Sequence, residues 1–125
     1  MIGCTVTLTY GFDLPGDMLA KARRELDALE NALWVQDDTA VGDAFFDIGI
    51  ALTGVRDWLR LHPSASFQPS DVDAYFYGNP ALNLFRDIAS PTRRRRLTLD
   101  HARDAVAAWE SFFAAHGLEV EAEAQ

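Results

Sequence analysis

A chain of 125 residues, 49% of them hydrophobic and carrying a formal net charge of −8, has the size and apolar content of one packed domain, 1–125, and is too apolar for a disordered polymer. Its one cysteine, Cys4, excludes an internal disulfide, and no Cys/His cluster has zinc-site spacing, so a reducing, cytoplasmic setting with no metal or cofactor is expected. No signal peptide and no membrane span are expected from the apolar pattern, and the acidic balance disfavours nonspecific attraction to nucleic acid or anionic lipid.

In chain order, Thr5–Tyr10 alternates Val6, Leu8 and Tyr10 with threonines, the pattern of a strand with one buried face. Such a strand needs a partner for its backbone groups. Leu118, Val120 and Ala122, alternating with Glu119, Glu121 and Glu123, supply the best one, so the two terminal segments are predicted to form a small β ribbon. Pairing with Arg95–Leu99 or with a second copy is the looser alternative.

Asp13, Leu14 and Pro15 then signal a helix start, with aspartate as cap and proline in the first turn. Met18, Ala22, Leu26, Leu29 and Leu33 carry that helix to about Leu33, while Arg23, Arg24, Asp27 and Glu30 mark its solvated side. Trp34–Asp38 is a break, and Asp37, Asp38 or Thr39 can cap the next helix.

The organising segment is Asp43–Leu61, in which Phe45, Ile48, Leu52, Val55 and Leu59 recur at the spacing of one helix face. Phe46, Ile50 and Trp58 widen that stripe, and Gly42, Gly49 and Gly54 leave room for close neighbours, so a central helix touched on more than one side is expected. The prolines and small polar residues after Leu61 predict a loop. A short helix over Asp71–Tyr77 capped by Ser70 comes next, then another from Pro80 to Ala89. A connector containing Arg93, Arg94, Arg95 and Arg96 leads to a last helix capped by Asp100, with Ala105, Val106, Trp109, Phe112 and Phe113 buried. Gly117 stands where a left-handed residue commonly ends a helix. The fold class expected is mainly α: a bundle of three long and one or two short helices, with the minor terminal β element.

Two stretches, FFDIGIALTGVRDWL and LFRDIAS followed by the arginine run, together resemble the HEPN superfamily over about Asp43–Phe113. The resemblance implies a helical bundle from a bacterial toxin–antitoxin or defence context, usually dimeric. Active members are metal-independent ribonucleases with an arginine, a polar residue and a later histidine. Arg86 matches the arginine and Asp87 the polar residue, and Pro91 occupies the first position where the histidine would stand. Attack by a ribose 2′-hydroxyl needs a group that exchanges protons near neutral pH, which arginine does not.

The histidine can instead come from His101, with four residues between it and Arg96, where a helix N-terminus favours phosphate. Arg94 and Arg95 also satisfy the permitted gaps before His101, and Arg56 does so before His62. Three readings are open: a catalytically degenerate HEPN-like domain that binds protein or RNA through Asp87 and Arg93–Arg96; a ribonuclease using Arg86 or Arg96 with His101; and an acidic immunity or antitoxin-like inhibitor of a basic toxin. A plainer role for the arginines is to pair with Asp43, Asp47, Asp71 and Asp73. Tyr75, Phe76 and Tyr77 either stack on bases, pack across a two-fold axis as a homodimer, or close the core.

Overall fold

The computed structural model describes residues 14–85, 90–94 and 96–118, with backbone alone at 93 and 94. Every regular element among these is helical: α1 (Pro15–Trp34), α2 (Asp38–Leu61), α3 (Pro69–Gly78), α4 (Pro80–Asn83), α5 (Pro91–Arg94) and α6 (Leu99–Ala115). The predicted strand over Thr5–Tyr10 and nearly all of its terminal partner lie outside the described residues.

The central helix is where its periodicity places it. Phe45, Ile48, Leu52, Val55 and Leu59 are all buried, and α2 packs mainly along α1 while also touching α3, α5 and α6. It begins earlier than its apolar stripe, at Asp38, because the Asp37 carboxylate accepts the Ala40 N–H (3.1 Å) and so caps the orphan amides. Of the residues that widen the stripe, Trp58 is half-buried and packs against the core, whereas Phe46 and Ile50 remain exposed. Gly54 makes a close approach and Gly42 does not. A Cβ at Gly54 would stand 2.5 Å from Met18 Sδ, whereas nothing lies within 4 Å of one built at Gly42.

Helix α1 buries Leu19, Ala22, Leu29 and Ala32 against α2 and α6. Its tight exit to α2 is made by Gln36 in the left-handed region at φ 59°. The last helix delivers all five predicted core residues, Trp109 among them fully buried, and Gly117 takes φ 68° at its end.

Several caps and short elements differ from expectation. Asp71 closes the start of α3, its carboxylate accepting the Gln68 N–H (2.8 Å), so that helix begins at Pro69 rather than after a Ser70 cap. Thr98, not Asp100, caps α6. The helix from Pro80 stops at Asn83, followed by a turn at 84–85, because Asn83 turns its side-chain amide back onto the carbonyls of Phe76 and Tyr77 (2.8 and 2.9 Å). Part of the arginine connector is itself helical, α5. The loop after Leu61 is not merely polar: Phe67 is 2% exposed and meets Phe112 edge-on at 5.5 Å, pinning the loop to α6.

Surface ion pairs align the rods. Arg23 Nε meets Glu110 at 2.7 Å and Arg103 meets Glu30 at 3.5 Å, both between α1 and α6, and Arg60 meets Asp73 at 2.9 Å between α2 and α3. Being exposed, each contributes at most about 1 kcal/mol. No helix among the described residues is long and apolar enough to cross a membrane.

Candidate functional site

The residues singled out by the arginine–histidine spacing meet different fates. Arg86, Asp87 and Arg95 lie outside the described residues, and Arg93 and Arg94 fall in α5. Arg96 is exposed just before Leu97. His101 stands at the third position of α6 and is committed to its own helix start: the Thr98 hydroxyl accepts the His101 N–H (3.1 Å), and His101 Nδ1 accepts the Thr98 N–H (3.0 Å). This is a reciprocal capping box with imidazole in the glutamate's place. A neutral ring that accepts at Nδ1 carries its hydrogen on Nε2, so the outward nitrogen can donate a proton but has no lone pair with which to take one. The arrangement suits a helix cap.

Other polar groups are also engaged in holding the fold. Tyr75 donates to the Ala108 carbonyl (2.6 Å) while Phe76 is buried, leaving Tyr77 as the exposed member of that aromatic triplet. Burial pushes the Tyr75 hydroxyl above the ordinary tyrosine range, outweighing the opposite effect of a hydrogen bond with Asn79. Asp43 and Asp47 are exposed, and no group of three or more His, Cys, Asp or Glu among the described residues could hold a metal ion.

Ser66 hydrogen-bonds His116 Nδ1 beside a cleft of about 690 Å³, and the imidazole packs against Phe112 and Phe67 at 4.3 and 5.4 Å. A serine and a histidine in contact suggest a nucleophile and its base. Here, however, the side-chain partner of His116 is Ser66 and not a carboxylate that could serve as a third triad member, and the Ser66 N–H is taken by Ser64 Oγ (3.0 Å). The pair acts as a clip between the 62–68 loop and the end of α6.

A different feature emerges where the end of α1, the start of α2 and the segment 97–99 converge. Two adjoining clefts of about 470 and 610 Å³ share Leu33 and Leu99 as walls. Val41, Phe45 and Leu97 floor the first, and Trp34 borders the second. Trp34 is 84% exposed, Val35 57% and Leu33 42%, a run of large apolar side chains that the fold leaves in water. Among the described residues, the charged ones lining the clefts are carboxylates: Asp38 in the first, Asp27 and Glu30 in the second.

Spacing rules pointed away from this site because they placed Leu33 on the core face of α1 and treated Trp34 as part of a break. The available signal was the sequence Ala32-Leu33-Trp34-Val35, four consecutive apolar residues at a helix end, which one helix face cannot bury together. No family model matches the chain, and no curated protein or solved structure matches it either.

Proposed function

We propose that this chain is a helical protein-recognition module, a catalytically degenerate member of the HEPN-like kind, that works in a toxin–antitoxin or defence setting by binding a partner protein. The observation that carries this reading is the apolar cleft at the α1–α2 end with Trp34 projecting 84% exposed at its edge. Large aromatics at the border of a desolvatable pocket are what protein interfaces use as anchors. The carboxylates lining the cleft argue for protein over RNA, since Asp27, Glu30 and Asp38 would repel phosphates. The use of His101 Nδ1 as a cap acceptor supports binding without a chemical step.

Two parallel assays test this. Structured RNA incubated with the protein in chelator should remain uncleaved and should not shift in a gel at moderate salt. Affinity capture from the native host should retain a protein that the Trp34→Ala variant fails to hold. Metal-independent RNA cleavage that disappears in His101→Ala would overturn the reading in favour of the ribonuclease.

A further inference from the structure

We propose that the α1–α2 cleft receives one face of a basic amphipathic helix from the partner protein, its apolar residues against Leu33, Phe45, Leu97 and Leu99 and its Lys or Arg residues facing Asp27, Glu30 and Asp38. The inference rests on the reading of the chain as a protein-recognition module and adds the chemistry of what is recognised. Its first support is charge. Among the described residues the charged ones lining both parts of the cleft are acidic, and of these Glu30 alone forms an ion pair, with Arg103 at 3.5 Å. Asp27 and Asp38 form no ion pair with any described residue, so they are left to a cation brought by the ligand. Exposed carboxylates of this kind select the sign of a partner and speed its approach more than they add affinity.

The second support is shape and polarity. The groove is open, its floor apolar, and its sides are two helix ends, the setting in which an amphipathic helix seats residues spaced three and four apart. Affinity then comes from covering Trp34, Leu33 and Val35, which water now surrounds. Arg96 lies beside Leu97, on the side of the groove formed by the 97–99 segment, so the basic residues of the ligand are directed toward α1 and the start of α2 rather than toward the connector.

The test is a selection of random displayed peptides of about 16 residues, long enough for four helical turns, against the full chain. Enriched sequences are expected to combine large apolar residues at three- and four-residue spacing with an excess of Lys and Arg. Their affinity is expected to fall at least about tenfold in Trp34→Ala and in Asp27→Lys/Asp38→Lys, and to weaken as salt shortens the screening length from about 10 Å at 0.1 M. Enrichment of neutral or acidic sequences, equal binding to the variants, or no enrichment at all would overturn the proposal. So would sedimentation showing a wild-type dimer that Trp34→Ala converts to monomer, which gives the cleft to a second copy. Circular dichroism checks that the variants fold; the positions altered are exposed, so they should. None of these outcomes alters the RNA assay, by which the broader recognition reading stands or falls separately.

Discussion

His101 satisfies a backbone amide that a glutamate would satisfy equally well. His101→Glu is therefore expected to preserve the α6 cap, while His101→Ala should cost about 0.5–1 kcal/mol in urea unfolding, the usual worth of half a capping box. If the alanine variant loses nothing, the imidazole is not acting as a cap. The spacing that singled out His101 was real, but its meaning lay in Thr98, three residues earlier, a Thr-x-x-His that reads as a capping box once imidazole is admitted as an acceptor. Tyr75 supplies a second test at this scale. Its folded-state pKa is raised, so the native chain holds that proton to higher pH than the unfolded chain does. The stabilisation is complete below about pH 10, the ordinary tyrosine value, and is lost as pH rises through it toward the folded-state value. Tyr75→Phe should flatten that part of the stability–pH curve, and unchanged curvature would remove Tyr75 as its source. Trp109 differs again: its indole N–H is buried without a partner. Leaving such a donor unpaired costs about 1–3 kcal/mol, so Trp109→Phe should fall within about 1 kcal/mol of wild type despite the smaller ring.

Between helices, Gly54 and Met18 hold α1 and α2 close. Gly54→Ala gains helix propensity of about 1 kcal/mol but forces the Met18 thioether aside. Alone it should be neutral to destabilising; combined with Met18→Ala it should be worth about 1 kcal/mol relative to Met18→Ala, a coupling that a double-mutant cycle measures. Gly42→Ala, with open space around it, should stabilise by about 0.5–1 kcal/mol without any partner change. Equal effects at the two glycines would mean the close approach is not real. The helices themselves were legible because a period near 3.6 is imposed by burying one face: Phe45 to Leu59 and Ala105 to Phe113 could be read directly. The ends were less so. Caps depend on which of several short polar residues reaches the free amides, and Asp37, Asp71 and Thr98 compete in the sequence with Thr39, Ser70 and Asp100.

For the molecule as a whole, the core is a one-sided problem and the recognition surface is not. Periodicity reports residues that must be hidden from water; it has no rule for Trp34 and Val35, which the fold leaves outside, and it cannot bring Leu33, Phe45 and Leu99 into one cleft from three segments of chain. Nor could it show that Phe67 ties an apparently polar loop to α6. Among the described residues, the surface that results is apolar in the groove and acidic at its sides, which is the physical basis of the recognition reading. Amide hydrogen exchange on the complex with a captured or selected partner tests that reading most directly. Slowed exchange concentrated at 31–42 and 97–101 is the predicted result, and it should vanish with Trp34→Ala. Protection centred instead on the Ser66–His116 face, or no local protection in a complex that Trp34→Ala leaves intact, would contradict it.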